Sequence, residues 1–368
     1  MKLICGPMAT VSHPAFRFLV ERFGGCDEYF TEMINAGTLL TGGPFEKYYL
    51  DSSPCPQKIV WQLTSKNTEL MLGAVERIVK LDGIGIDLNM GCSAPDIYKT
   101  GAGISWMIKD RAETFEMVKS AGEIISEYNS SIEKVAALRE VGTSQGVGTS
   151  QGAGTGGQKR FSVKLRLGDD NFTDEGFFSF CDGLVERGVQ LLTLHPRTKK
   201  EKLTLTPRYA YCQKLVERYT GSGVQVYLNG NIKDKASYDY ALSVAPDVGG
   251  VMISRASVQK PWIFSELKRS SGELPLGESV PGQSVQPQSI DMQSLALGFI
   301  DDVEKYQPPE FWKTRLQRFF TYFSMNFKFS HYAQTQFLNA KDNEDLRLRI
   351  SDFFEKCPEE RFFTPSKL

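Results

Sequence analysis

The chain of 368 residues lacks the features that mark membrane proteins, secreted proteins and strongly charged nucleic-acid binders. Its net charge is close to zero, with 43 basic and 44 acidic residues, so no global field favours nucleic acid or a membrane surface. No run approaches the roughly 18 apolar residues of a membrane span. Residues 1–7 form too short an apolar stretch for a signal peptide. We therefore expect a cytoplasmic protein without membrane association, in which any nucleic-acid partner binds a local basic surface.

Cysteine pairs of the kind found in disulfide frameworks and zinc sites are also missing. The cysteines are odd in number, scattered and free of CxxC spacing, which predicts reduced thiols. We expect no metal site. The seven positions are Cys5, Cys26, Cys55, Cys92, Cys181, Cys212 and Cys357.

Strand-like apolar runs alternate with amphipathic helical segments over most of the chain. The predicted strands are 3–5, 28–31, 58–63, 84–88, 161–166, 191–195, 224–229 and 250–253. The predicted helices between them include 68–81, 111–127, 174–187, 209–219 and 233–244. This alternation predicts an α/β fold, specifically a (β/α)₈ TIM barrel. A doubly wound open sheet is the alternative, but the GxGxxG turn that would favour it does not follow the first strand.

The length suits one large domain and a smaller one. We predict the barrel over residues 1–268, a linker rich in Ser, Gly, Pro and Gln over 269–290, and a small helical domain over 291–368. Helical spacing in this last part predicts helices at 292–306, 310–329 and 342–355.

A glycine-rich segment at about 141–158 interrupts the barrel pattern before the fifth strand. It repeats Val-Gly-Thr-Ser-Gln-Gly twice in tandem and has too little apolar area to offset the entropy of ordering it, so we predict a flexible insert. A phosphate-binding loop is the alternative, but the Gly-Lys-Ser/Thr ending of a P-loop is absent.

Cys92 lies just past the predicted strand 84–88, in a loop that returns to Gly101 and Gly103. Active sites of α/β barrels lie at the carboxyl ends of the strands, and a thiol there can deliver a proton to carbon. Asn89, at the end of the same strand, can contact a substrate or cap its own turn. Both roles of Asn89 remain open.

Polar residues end the other predicted strands too. Buried polar groups need partners, so their convergence on one face favours a ligand site. The turns after the seventh and eighth strands are where barrels commonly bind phosphate, and Arg255 with neighbouring N–H groups suits a phosphate monoester. The set comprises Pro7, Met8, Ala9, Gln62, Lys164, Arg166, His195, Arg197, Asn229, Gly230, Asn231, Ser254 and Arg255.

These motifs resemble those of the tRNA-dihydrouridine synthases, in the same order through the whole barrel. They are Pro-Met-Ala (7–9), Asn-Met-Gly-Cys-Ser-Ala-Pro (89–95), Lys-Leu-Arg-Leu-Gly (164–168), His-Pro-Arg-Thr (195–198), Asn-Gly-Asn-Ile (229–232) and Gly-Val-Met-Ile-Ser-Arg-Ala (250–256). Three residues depart from the family pattern: Ser93 replaces proline, and Pro196 and Ser254 replace glycines. Ser254 would be strained if its position needed a positive φ. None of the three removes a group that does chemistry.

The resemblance implies an enzyme with tightly bound FMN that uses NADPH to reduce uridine in tRNA to 5,6-dihydrouridine. Cys92 matches the family's proton donor to C5 of uracil, after hydride from reduced flavin has added at C6. Lys164 would stabilise the anionic reduced flavin. We assign Asn89 and Arg197 to the substrate, and we expect a monomer. By motif, the FMN contacts are Pro7, Met8, Ala9, Gln62, Lys164, His195, Asn229, Gly230, Asn231, Ser254 and Arg255.

The resemblance makes residues 291–368 a tRNA-binding domain, and the sequence offers two local basic surfaces for RNA. The segment 310–329 carries four cations against a single acidic residue, and three lysines follow the sixth strand. An amphipathic helix with inward aromatics and solvated cations is the alternative for 310–329. The cations are Lys313, Arg315, Arg318 and Lys328 in the helix and Lys199, Lys200 and Lys202 at the barrel mouth.

Two other functions fit parts of the pattern. An FMN-dependent reductase of a small pyrimidine or enoate would use the same barrel but would not need the carboxyl-terminal helices. A non-catalytic RNA-binding protein would keep the barrel as a scaffold but would have little use for Cys92 beside a complete flavin set. The sequence does not indicate which tRNA position is modified.

Overall fold

The computed structural model of the chain describes residues 1–142, 157–169, 171–201, 205–270 and 289–365. Most of the predicted insert at 141–158, most of the predicted linker at 269–290, and Lys202 lie outside these ranges.

Parallel strands form one sheet that closes into a barrel. Eight strands close the ring in the order β1-β9-β8-β7-β6-β5-β4-β2, with β2 paired to β1, and β3 extends the sheet beside the end of β4. The predicted (β/α)₈ barrel is confirmed. The strands are β1 (Lys2–Cys5), β2 (Glu28–Phe30), β3 (Ile34–Asn35), β4 (Ile59–Thr64), β5 (Gly85–Met90), β6 (Arg160–Arg166), β7 (Leu191–His195), β8 (Gln225–Asn229) and β9 (Gly250–Ile253).

The barrel strands are buried on both faces. Along β5, Ile86, Leu88 and Met90 pack into the main core between sheet and helices. Because side chains alternate along a strand, Asp87 and Asn89 lie on the inner face of the barrel. A second apolar cluster, drawn from the inward positions of the strands, consists of Ile4, Phe30, Val60, Leu191, Tyr227 and Met252.

Helices surround the sheet, and several begin at a side-chain cap. Asn67, Thr173 and Asp234 accept backbone N–H bonds at the starts of three of them. In the described part of the chain no helix is both long and apolar enough to cross a membrane. The helices of the barrel region are α1 (Pro14–Arg22), α2 (Ala36–Thr41), α3 (Glu46–Tyr49), α4 (Thr68–Ile78), α5 (Pro95–Tyr98), α6 (Arg111–Gly142), α7 (Asp174–Val185), α8 (Ala210–Arg218), α9 (Lys235–Val244), α10 (Arg255–Gln259) and α11 (Ile263–Ser270).

Within residues 289–365 four helices follow, where three were predicted. They are α12 (Met292–Tyr306), α13 (Pro309–Phe323), α14 (Ser330–Leu338) and α15 (Asn343–Lys356). The predicted helix 310–329 was too long, because the backbone turns extended at Phe327. The Phe327 side chain is nevertheless buried, so the apolar spacing continues past the real end of the helix. A short antiparallel pair, β10 (Ile290–Asp291) with β11 (Phe362–Phe363), closes this part.

The carboxyl-terminal helices pack directly on the barrel. Arg22 of α1 donates to both carboxylate oxygens of Asp302 at 2.6 Å. Arg315 of α13 is buried and donates to Glu32 at 2.8 Å, and the other oxygen of Glu32 accepts the N–H of Thr10. Arg315 is therefore not one of the exposed cations that the sequence suggested for RNA. Lys313, Arg318 and Lys328 are exposed.

Candidate active site

Cys92 lies at the carboxyl end of β5, at the mouth of the barrel. It is partly exposed, whereas the other six cysteines are all buried. The loop folds back so that the N–H of Ile104 donates to the Cys92 carbonyl at 3.0 Å. Gly103 has φ +60, and a Cβ there would lie 2.6 Å from the Cys92 carbonyl oxygen, so this close approach requires glycine. The loop therefore holds one accessible thiol at the mouth.

Asn89 caps the turn that carries Cys92. Its Oδ1 accepts the N–H of Cys92 at 2.9 Å and that of Gly91 at 3.3 Å. Its Nδ2 donates to Gln62 Oε1 at 2.8 Å. Of the two roles open for Asn89, the turn cap is the one seen in its contacts, and its assignment to the substrate stays a prediction.

The polar chain continues into the barrel from Gln62 to Asp87. Gln62 Nε2 donates to Asp87 Oδ2 at 2.7 Å, and Ser162 Oγ donates to Asp87 Oδ1 at 2.8 Å. Burial raises the pKa of Asp87 to about 6, although these hydrogen bonds and the charge of Lys164 act in the opposite direction. Sequence reasoning missed Asp87 and Ser162. They could have been found from the sequence, because each is a polar residue at an inward position of an otherwise apolar strand.

Cations converge on the same mouth from β6, β7 and α10. Strand pairing places Lys164 beside Asn89 and Arg166 beside His195. Burial, followed by the charge of Arg166, lowers the pKa of Lys164 to about 8. Burial also lowers the pKa of His195 well below its usual value, and the charges of Arg166, Lys164, Arg197 and Arg255 add to the effect. The mouth is thus electropositive and suits an anion.

Two of these cations hold the loops that form the mouth. Arg166 Nε donates to the carbonyl of Gly91 at 3.0 Å, which fixes the loop before Cys92. Arg197 Nε donates to the carbonyl of Leu205 at 2.5 Å, and its Nη1 lies 3.1 Å from His195 Nε2. Because a guanidinium only donates, His195 Nε2 accepts and the ring is neutral, in agreement with its lowered pKa.

Lys164 and Arg255 differ from these two arginines because neither side chain makes a hydrogen bond to another residue within the described ranges. Lys164 is half-buried, and Arg255 is exposed at the start of α10. Both are close enough to lower the pKa of the neutral His195. They are the cations at this mouth left available to a ligand.

Backbone turns after β8 and β9 bring glycines against the site. Gly230 has φ +124, and a Cβ there would lie 2.7 Å from His195 Cδ2. Asn229 donates to the carbonyl of Met252 at 2.9 Å, which ties β8 to β9. Ser254 has φ −114, so replacing the family glycine causes no strain of the kind considered from the sequence. Asn231, at φ +60, lies exposed at the rim.

The loop after β1 completes the rim. Met8 N–H donates to Ser12 Oγ at 2.9 Å, and that hydroxyl donates to the carbonyl of Gly6 at 3.2 Å. A Cβ on Gly6 would lie 2.3 Å from Ser254 Oγ, so this loop and the start of α10 are in contact. Pro7 and Met8 are half-buried and Ala9 is exposed beside them. The residues predicted from the sequence therefore share one end of the barrel.

A family model for dihydrouridine synthase (Dus) matches residues 3–125 and 156–292. A probable tRNA-dihydrouridine synthase of Aquifex aeolicus is 28% identical over 269 residues, which span 73% of this chain and 72% of that protein. The Mus musculus protein named tRNA-dihydrouridine(47) synthase [NAD(P)(+)]-like is 26% identical over 268 residues, 73% of this chain but 36% of its own length. Among solved structures, a morphinone reductase variant in complex with tetrahydroNAD aligns with a TM-score of 0.44 and 10% identity, over 73% of this chain and 87% of that one. On the sequence match, the chain belongs to the dihydrouridine synthase family.

Proposed function

We propose that the protein is a tRNA-dihydrouridine synthase, which reduces uridine in tRNA to 5,6-dihydrouridine with tightly bound FMN and with NADPH as the reductant. The observation that carries the proposal is the single accessible thiol, Cys92, beside unpaired cations at the barrel mouth of a chain in this family. The relatives named above carry this activity in their names.

The mouth has the groups that a flavin mononucleotide needs. The side chains of Lys164 and Arg255 have no hydrogen-bond partner within the described ranges, and both suit an anionic ligand. The close turn at Gly230 leaves backbone approachable beside the neutral His195. We assign the phosphate to Arg255 and the N–H groups at the start of α10, and the ring system to Lys164, Gln62 and the loop at Pro7–Ala9. When bound, the flavin supplies the hydride that reduces C6 of uracil.

The chain itself must supply a proton to C5. Hydride addition at C6 leaves enolate character at C4–C5, because the double bond is conjugated to the 4-carbonyl. We assign the proton transfer to the Cys92 thiol, which the turn cap at Asn89 and the bond from Arg166 to Gly91 hold at the mouth. General acid catalysis of this kind typically contributes 10²–10⁴-fold to a rate.

The tRNA must present one base, out of its stack, to the mouth while the protein binds the surrounding backbone. The half-buried Lys199 lies near the mouth, and exposed cations lie in the carboxyl-terminal helical part. Lys199 stacks over the ring of Tyr98 at 3.8 Å, which joins the loop after β7 to the helix after Cys92. We assign RNA backbone contacts to Lys199 and to the exposed Lys313, Arg318 and Lys328, in a cytoplasmic monomer.

Purified protein tests the function directly. It should be yellow, release FMN on denaturation, and add two hydrogens to one uridine of an unmodified tRNA transcript when supplied with NADPH. Free uridine, orotate and a simple enoate serve as controls. Reduction of one of these with no action on tRNA would favour the small-molecule reductase, and a colourless, folded protein that FMN cannot reconstitute would exclude the flavin. Mapping dihydrouridine in tRNA from a knockout strain would then identify the position.

A further inference from the structure

A chain of hydrogen bonds connects a carboxylate inside the barrel to the backbone of the proposed proton donor. Asp87 accepts from Gln62 at 2.7 Å, Gln62 accepts from Asn89 at 2.8 Å, and Asn89 accepts from the N–H of Cys92 at 2.9 Å. The three side chains are buried. Each bond that is lost therefore leaves a polar group without ready replacement by water.

In this series of hydrogen bonds, the two end groups determine which partner donates in every bond. A backbone N–H can only donate, and an ionised carboxylate can only accept. The amide of Gln62 must turn its NH₂ to Asp87, which leaves its oxygen for Asn89. Asn89 must then turn its NH₂ to Gln62, which leaves its oxygen for the N–H of Cys92. Neither amide can reverse unless an end group changes.

We propose that Asp87 is a positioning residue for Cys92, because its carboxylate fixes the amide of Gln62, whose oxygen holds the NH₂ of Asn89 and thereby supports the turn that carries the thiol. The effect on catalysis rests on the proposed function of Cys92. The effect on the turn rests on the hydrogen-bond geometry alone, so the two can fail separately.

Ser162 makes it possible to test the role of Asp87 in these hydrogen bonds. Ser162 Oγ donates to Asp87 Oδ1 at 2.8 Å and lies 3.3 Å from a second acceptor, the carbonyl of Ile86. In Asp87→Asn, the new NH₂ can therefore face Ser162, whose hydroxyl turns to Ile86, and the amide oxygen still faces Gln62. In Asp87→Ala no acceptor faces Gln62, so the NH₂ of Gln62 loses its partner and the Gln62 oxygen is no longer held against the NH₂ of Asn89.

The experiment measures hydrogen exchange at the Cys92 amide and steady-state kinetics with tRNA, in the purified flavoprotein. We expect near wild-type protection in Ser162→Ala and in Asp87→Asn. In Asp87→Ala we expect about a tenfold loss of protection, the equivalent of one hydrogen bond, with a fall in kcat and little change in KM. Asn89→Ala, which removes the cap directly, is the control for lost protection. Wild-type protection in Asp87→Ala would overturn the proposal, whereas an active Cys92→Ala would overturn only the role of the thiol.

A compensating exchange keeps the proposal testable if Asp87→Ala fails to fold. Asn89→Asp alone places Gln62 between two carboxylates, one of which must face the Gln62 oxygen, and we expect a lower melting temperature. The introduced carboxylate still accepts from the N–H of Cys92, so protection there should not fall. Adding Asp87→Asn reverses the bonds of Gln62 with none lost, because the new NH₂ donates to Gln62 and Gln62 donates to the carboxylate introduced at position 89. The melting temperature should therefore recover. Failure of this second change to rescue the first would show that Asp87 does not set the direction.

Discussion

Charged groups lie at both ends of the barrel, but they are paired with opposite charges at the amino end and not at the carboxyl end. At the amino end, Glu28 is buried and accepts from Arg160 at 2.6 and 2.9 Å, from Lys2 at 2.7 Å and from the hydroxyl of Tyr227 at 3.0 Å. Burial alone would raise the pKa of Glu28, but the hydrogen bonds and charges of Arg160 and Lys2 outweigh it and the pKa is lowered. The pKa of Arg160 is raised, because its bonds to Glu28 outweigh its burial. Each partner keeps the other charged.

At the carboxyl end, the pKa values of Lys164, Arg166, His195 and Arg197 are all lowered. Burial is the main cause in each case and the charge of a neighbouring cation adds to it, which for Arg197 is Arg255. Breaking a charge pair at the amino end would leave a buried charge without its partner, whereas cations gathered without an equal number of anions cost stability until a ligand neutralises them. We call the amino end the structural end and, following the proposed function, the carboxyl end the binding end.

The largest effect should come from Cys92, the accessible thiol at the binding end. We expect Cys92→Ala to lose uridine reduction by about 10²–10⁴-fold, while flavin content, reduction by NADPH and tRNA binding stay unchanged, since none of these steps needs the thiol. Cys212→Ala, at a fully buried thiol, is the matched control. In ²H₂O the wild type should place deuterium at C5. If Cys92→Ala reduced uridine at the wild-type rate, the proton donor to C5 would have to be another group or water.

The next largest effect should be on stability, at the structural end. Glu28→Gln leaves the partly buried Arg160 without its counter-charge, and breaking a buried pair in this way costs up to about 3–5 kcal/mol in the free energy of unfolding. Flavin content per folded molecule should not change. Glu123→Gln, in the exposed pair with Lys119 at 3.9 Å, should cost less than about 1 kcal/mol. If denaturant titrations gave the two substitutions the same loss in unfolding free energy, the charge pair at the amino end would have no special structural role.

Removing a cation from the binding end should weaken ligand binding and leave the stability of the protein unchanged. Arg255→Ala should weaken FMN binding by about 1.5–3 kcal/mol, the contribution of a hydrogen bond to a charged group, and leave the unfolding of the flavin-free protein unchanged. Flavin titration by fluorescence and denaturant unfolding measure the two quantities separately. Destabilised protein with unchanged flavin affinity would mean that Arg255 has a structural partner.

The two ends should also respond to pH in different ranges. Glu28 has a lowered pKa in the folded state, so its contribution to stability is present above its usual value of 4.5 and is lost as the pH falls through the folded value. Lys164 has a pKa of about 8 when folded and 10.5 ordinarily. The unfolded chain therefore binds more protons between these values, and the flavin-free protein gains stability as the pH rises through them. Unfolding free energies of Glu28→Gln and Lys164→Met should lose the acid and the alkaline dependence respectively.

The smallest effect should come from deletion of the glycine-rich insert. Deletion of residues 142–157 should leave stability and turnover nearly unchanged, because closure entropy grows only slowly with loop length. A large loss of turnover with intact flavin content would make the insert a functional element.

The barrel could be predicted from the sequence, and so could the residues at its mouth. Each of these residues ends or follows an apolar strand, and parallel strands end on one face. Partners could not be predicted, because they depend on register and packing. Asp87 bonds to Gln62 across 25 residues, and Arg315 bonds to Glu32 across 283. Arg315 resembled a solvated cation in the sequence for this reason. The helix end at Phe323 was missed because Phe327, beyond it, is also buried.

The buried Glu32 also bears on whether the barrel can be exchanged between relatives as a module. One of its oxygens accepts the N–H of Thr10, in the loop that follows Pro7–Ala9, and the other accepts from Arg315 of α13. A chain truncated after residue 268 would keep the carboxylate and lose the guanidinium, leaving a buried charge beside a residue held at φ +63. A chimera that joins this barrel to another family member's helices must therefore supply an arginine at the position of Arg315, or replace Glu32 at the same time.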